Sequence, residues 1–198
     1  MRSKTALFFG CLLLLSVLAG VNLTAAKSRT IPFVGMSLVY YAVDWNGETM
    51  IRTVSVLRYD SEKNQVVIRD SADSFDVGVI DLDTRLVVDL TGSWPGWPAE
   101  MYVEYWIPTD VKEGSHVDIL IYDAVVIGST QMCVDGRVVD VWQLQASGQD
   151  EEVNWQDTWY YEKKTGLWVA AAWIKWDSEG NVLANWGGHL VSTNAVLG

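Results

Sequence analysis

Residues 157–176 read DTWYYEKKTGLWVAAAWIKW. An aromatic run, the turn Lys163-Lys164-Thr165-Gly166 and a second apolar run follow one another without a helical period, which makes this passage a β-hairpin. In the returning run, Leu167, Val169, Ala171 and Trp173 share one face, while Trp168, Ala170, Ala172, Ile174 and Trp176 share the other. Both faces are apolar. The sequence therefore predicts a strand covered on each side, as in a sandwich, a closed barrel or a curved sheet around a cavity.

The same grammar extends in both directions. Downstream, Asp177-Ser178-Glu179-Gly180 turns the chain into strands expected at 182–186 and 189–195. Upstream, 36–45 runs into Asn46-Gly47, the dipeptide best suited to a two-residue hairpin turn, and 48–59 returns rich in Thr, Val and Ile. Further strands are expected at 65–69, 77–82, 85–90 and 116–127, then a hairpin of 130–134 and 137–145 around Asp135-Gly136, followed by a polar loop at 146–154. Residues 99–106 fit a short helix or an edge strand. Thr91 to Pro98, with two prolines, two glycines and two tryptophans, is a loop or lid. The fold class is all-β: an antiparallel curved sheet, barrel or sandwich with hairpin and meander connections, preceded by an N-terminal hydrophobic helix.

That N-terminal segment carries an address. Arg2 and Lys4 precede an apolar run that ends in Thr24-Ala25-Ala26 before Lys27. This is the order of a secretory signal, and the run is also long enough to stay as a membrane anchor. Residues 1–26 are read as signal peptide or anchor, and 27–198 as one β-rich extracytoplasmic domain, secreted or held at the cell surface. Cleavage would leave Cys133 as the only thiol, so no intramolecular disulfide can form and stability must come from burial. Its apolar neighbours Met132 and Val134 predict a buried cysteine.

The net charge of -11 argues against nucleic acid and anionic headgroups as partners, because both are bound by clustered Lys and Arg. A membrane enters only through the N-terminal segment. No cofactor is indicated: His116, His189 and Cys133 are far apart with no zinc spacing, and no nucleophile elbow or phosphate loop occurs. Asp81 and Asp83, and the run Asp44 to Glu48, offer oxygens for calcium without completing a binding loop.

Longer strings carry a resemblance. Tyr105-Trp106-Ile107-Pro108-Thr109-Asp110-Val111-Lys112-Glu113-Gly114, Val134-Asp135-Gly136-Arg137-Val138-Val139-Asp140-Val141-Trp142, Trp159 to Leu167 and Leu190-Val191-Ser192-Thr193-Asn194 resemble uncharacterised secreted or membrane-anchored proteins of archaea. The resemblance implies an exported, β-rich body and no assigned activity. More loosely, the closing meander is similar to that of envelope lipoprotein carriers, whose half-barrel sheet holds acyl chains. The helices that plug such half-barrels have no counterpart in this pattern.

Tryptophan is the compositional outlier, with eleven residues, six of them between Trp155 and Trp186. Large rings with a polar N–H form either cores or stacking surfaces. Three functions remain open. The first is a non-enzymatic module holding an apolar or lipid-like ligand in a cupped sheet, with Trp168 and Trp176 on its strand and the loop of Trp94 and Trp97 as a gate. The second is recognition of a glycan or a protein by Trp94, Trp97, Tyr102 and Trp106. The third is a carbohydrate-active enzyme using Glu100 and Glu104 as its acid pair.

Overall fold

The computed structural model describes residues 31–44, 46–71, 77–91 and 101–198; residues 1–26, expected to be a signal peptide or anchor, and Trp45, Trp94, Trp97 and Glu100 lie outside them. Apolar alternation resolves into twelve strands: β1 Ser37–Val43, β2 Thr49–Asp60, β3 Gln65–Asp70, β4 Val77–Asp81, β5 Leu86–Thr91, β6 Met101–Tyr102, β7 His116–Ile119, β8 Tyr122–Val134, β9 Arg137–Asp150, β10 Val153–Glu162, β11 Trp168–Trp176 and β12 Val182–Thr193. All pair antiparallel in one sheet, ordered β6-β5-β4-β3-β2-β1-β12-β11-β10-β9-β8-β7. The chain thus runs as two six-stranded meanders joined where β1 pairs with β12. The two edges meet as well, since Tyr102 N donates to Leu120 O at 2.8 Å and Leu120 N to Tyr102 O at 3.0 Å. Their meeting gives a nearly closed barrel and leaves little unpaired edge.

Turn chemistry explains most of the connections. Asp135 and Gly136 adopt positive φ (50° and 72°), as a two-residue hairpin turn requires. Between β1 and β2 the connection is longer than Asn46-Gly47 alone: Val43 pairs with Thr49, and Asp44 accepts the N–H groups of Asn46 and Glu48 at 2.8 Å each. An Asp at the start of the loop thus replaces the two-residue turn by bonding its own backbone.

Three other expectations change. The polar loop at 146–154 is instead the paired ends of β9 and β10, with Val153 opposite Asp150. Ala146 and Gly148 hold inward positions there, and Gly148 is bare because the Trp155 ring fills its space: a Cβ on Gly148 would lie 2.5 Å from Trp155 Cζ2. Residues 116–127 break into β7 and β8 at Leu120, whose φ is 54°. Gly187 and Gly188 do not interrupt β12, because they sit where strands approach closely, Gly187 beneath the Ala171 carbonyl and Gly188 beneath that of Tyr41.

Inside the barrel, Leu38, Tyr40, Val54, Val56, Ile119 and Leu144 are among the residues removed from water. Residues 103–107 follow the edge strand β6 inward and are themselves core, with Val103, Tyr105, Trp106 and Ile107 all buried. The Lys163 to Gly166 turn holds this segment. Ile107 N donates to Gly166 O at 2.9 Å and Trp168 N to Tyr105 O at 3.0 Å. Gly166 has φ of 72° and faces the Ile107 carbonyl, where any Cβ would collide. Buried Glu162 fixes the turn from below, accepting from Lys164 N at 3.0 Å, Thr165 N at 2.8 Å and Thr165 Oγ1 at 2.6 Å.

The double cover expected for β11 is only partial. Ala170 on this outer face is buried, but Ala172 is exposed and Ile174 and Trp176 are half-buried, so the face opens toward its Trp176 end. Cys133 is exposed rather than buried, because the alternation of β8 turns it away from its buried neighbour Val134.

Candidate functional site

The polar centre of the barrel is assembled from strand phase. In β2, Arg52 is in register with the inward Val54 and Val56; in β3, Asp70 is in phase with Ile68; Glu104 and Tyr105 come from the buried segment. Arg52 Nη2 lies 2.6 Å from Asp70 Oδ2 and 2.7 Å from Glu104 Oε1, and Arg52 Nε donates to Asp70 Oδ2 at 2.8 Å. The Tyr105 hydroxyl donates to the same Asp70 oxygen. Burial opposes the charge of Arg52, yet Tyr105, Glu104 and Asp70 outweigh it and hold the guanidinium above its ordinary pKa. Burial raises the phenols of Tyr40 and Tyr105, which stay neutral.

Two anchors lock this centre in place. Tyr40 stacks on Trp168 at 4.4 Å between ring centroids and donates from its hydroxyl to Trp168 O at 3.0 Å. Arg85, buried with φ of 65°, donates to the carbonyls of Trp106 (3.1 Å), Val103 (3.0 Å) and Asp118 (2.9 Å). An arginine in that backbone region costs energy and is kept only where its surroundings fix it.

Asp157 stands apart. It points inward from β10, opposite Trp173 and Ala146, is 7% exposed, and its carboxyl makes no hydrogen bond among the described residues. Burial, with the nearby Glu104 second, pushes its carboxyl up to about 8, so it is mostly protonated at neutral pH. With Asp157 neutral, Arg52 and Arg85 balance Asp70 and Glu104.

Beside this network lies a pocket of about 50 Å3. Its walls are Ile68, Ile80, Val87, Leu90, Met101 and Leu120, and Arg52, Asp70 and Glu104 form its polar end. The space admits a few waters or a short apolar group and falls below the ~300 Å3 of common ligand sites.

The sequence-predicted residues divide accordingly. Trp106 and Trp168 are buried, and Trp168 spends its indole N–H on Ala170 O at 2.7 Å. Tyr102 is half-buried at the pocket wall, and Trp176 is half-buried on the outer face. Glu104 is held by Arg52. His116 pairs with Asp123 at 2.9 Å on the surface, His189 lies against the Tyr41 ring, and among the described residues no group of three or more His, Cys, Asp and Glu could hold a metal. Arg52, Asp70 and Asp157 escaped notice as site residues, although each is in phase with apolar inward neighbours.

No protein-family model and no curated protein matches the chain. Among solved structures, the chain is similar to a candidate lipoprotein from Parabacteroides distasonis, with 10% identity and a TM-score of 0.41 over 82% of this chain and 96% of that one. It is also similar to MucB, solved in complex with MucA(peri), with 13% identity and a TM-score of 0.39 over 81% of this chain and 49% of MucB. The chain thus spans about half the length of MucB.

Proposed function

We propose that residues 27–198 form a single extracytoplasmic domain that is a non-enzymatic binding module, exported by the leader and secreted or held at the cell surface. Its interior pocket accepts the end of an apolar or lipid-like ligand. The pocket itself carries the reading, because aliphatic walls end in a fixed ionic floor, an arrangement that suits a short apolar group next to a polar one. The floor groups satisfy one another, with Arg52 bound to both carboxylates and Tyr105 to Asp70, so they are built to stay in place more than to move protons. The enzyme reading would require Glu104 to leave Arg52 and face a second acid; a Glu104→Gln variant with unchanged turnover on any glycan would remove it.

Native and denaturing mass spectrometry of protein purified from an exporting host tests the proposal. An extra mass that survives gentle ionisation and leaves on denaturation is expected, and Gly78→Val, which fills the pocket between Ile68 and Leu90, should abolish it. A clean protein mass in both spectra, or an extra mass unaffected by Gly78→Val, would overturn it.

A further inference from the structure

The outer face of β9–β12 and β1–β2 has an unusual chemistry that the interior pocket leaves unexplained. Its registers form continuous rows. One row reads Gln145, Thr158, Ala172, Gly187, Val43, Thr49 across six strands. The next reads Gln143, Tyr160, Ala170, His189, Tyr41, Ile51. A third, on four strands, reads Ser147, Gln156, Ile174, Asn185. None of these positions is Lys, Arg, Asp or Glu, in a chain with 20% charged residues and a net charge of -11. The charged residues these strands carry within the same span, Arg52, Asp157 and Lys175, lie in the alternate phase and belong to the other face.

The face is also largely open and rich in side-chain amides. Tyr41, Ile51, Ala172, Asn185 and His189 are exposed. Gln156 donates to Thr158 Oγ1 at 3.3 Å, while the side-chain amides of Gln143, Gln145, Asn154 and Asn185 make no hydrogen bond among the described residues. The centre is low, floored by Ala170, Ala172 and Gly187, and at Gly187 a Cβ would come 2.7 Å from the Ala171 oxygen. Aromatic rings stand at both ends, Trp176 at one and Tyr160 and Tyr41 at the other. Six residues of strand separate Trp176 from Ala170, a trough of about 20 Å, and six strands give a width of about 24 Å.

We infer that this face binds a neutral polysaccharide chain. A surface without charge offers nothing to nucleic acid or to an acidic or basic peptide. An apolar protein would bury the amides unpaired, which is unfavourable. A neutral polyhydroxylated ligand presents donors and acceptors along its whole length, matching amides that are both, and its apolar ring faces suit Trp176 and Tyr160. This site is independent of the interior pocket, so either can fail alone.

The test is retention of the full protein on β-1,4-glucan, xylan, mannan and α-1,4-glucan, with polygalacturonate as the charged control. Binding to at least one neutral polymer and none to polygalacturonate is expected. Ala172→Glu, which puts a charge on an exposed floor position, should weaken binding at least tenfold, as should the paired Gln145→Ala, Asn154→Ala variant, with unchanged circular dichroism. Gly78→Val, inside the barrel, should leave it intact. Three results would overturn the inference: no retention on any neutral polymer, retention unaffected by Ala172→Glu, or a dimer in light scattering that Ala172→Glu dissociates, which would make a second copy the occupant.

Discussion

The two halves of the barrel solve the same packing problem with different side chains. Beneath β9–β12, strands of nine to fourteen residues carry Trp155, Trp159, Tyr161, Trp168 and Trp173, and rings pack on rings there: Trp173 stacks on Trp186 at an interplanar angle of 17°, and Trp155 and Trp159 both lean on Tyr122. Beneath β3–β6, strands of two to six residues carry Ile68, Ile80, Val87 and Met101, and here the pocket opens. Large flat rings can span the width of a barrel, whereas branched aliphatic side chains on short strands cannot reach across it. The ionic network lies at the junction, where the 103–107 segment crosses from one half to the other.

Breaking that junction should have the largest effect. Arg52→Leu removes the guanidinium that Asp70 and Glu104 share, and losing one partner of a buried ion pair costs about 3–5 kcal/mol. Guanidinium unfolding should show a midpoint lowered to match, with an unchanged slope. A loss below about 1 kcal/mol would mean that the network is only lodged between the halves and does not join them.

The next effect tests the one misfit of the aromatic half. Asp157 titrates near 8 in the folded protein against 3.8 unfolded, so between about pH 4 and 8 the folded state holds a proton that the unfolded chain has lost. Stability should therefore fall as pH rises through that window and level off above it, by on the order of a few kcal/mol. The groups around Asp157 set the sign: Glu104 adds to the rise, while Trp173 and Ala146 supply only low dielectric. Asp157→Asn should remove this slope and leave the variant more stable than the parent at pH 8 relative to pH 4. Parallel stability curves from pH 4 to 8 would show that water reaches the carboxyl.

How much of this was legible depends on whether the message was local. The Asp135-Gly136 and Lys163 to Gly166 turns were readable, because a turn needs positive φ and few residues supply it. All-β architecture followed from alternation. The ends of β9 and β10 were hidden because Ala146 and Gly148 look like loop residues until the Trp155 ring from the neighbouring strand is in place. The grouping of Arg52, Asp70 and Glu104 was hidden because they are 18 and 34 residues apart along the chain. Phase was the available signal, since Arg52 occupies the slot before Val54 and Val56, and Asp157 the slot between Trp155 and Trp159. The apolar second face of β11 was visible too, but sequence could not distinguish a covered face from an open one.

Glycine gives a matched probe of tight against loose packing, beginning with Gly148 in the aromatic half. Gly148→Ala drives a methyl to 2.5 Å from Trp155 Cζ2, and overpacking of that kind costs about 1–3 kcal/mol. A thermal midpoint within error of the parent would mean that Trp155 swings away freely and that this end of the barrel is not closed.

Gly78 is the counterpart in the aliphatic half, buried in β4 at the pocket wall. Its added Cβ would meet Ile68 Cγ1 and Leu90 Cδ2 at 3.5 Å each, ordinary van der Waals contact, and its φ is not positive. Gly78→Ala therefore strains nothing in the folded state and restricts the unfolded chain, so it should stabilise by about 0.4–1 kcal/mol. Calorimetry on Gly78→Ala and Gly148→Ala in parallel gives the comparison in its sharpest form, with one methyl added to each half and opposite signs expected. Destabilisation by both would mean that the aliphatic half is packed as tightly as the aromatic one, and the case for an accepting pocket would fall with it.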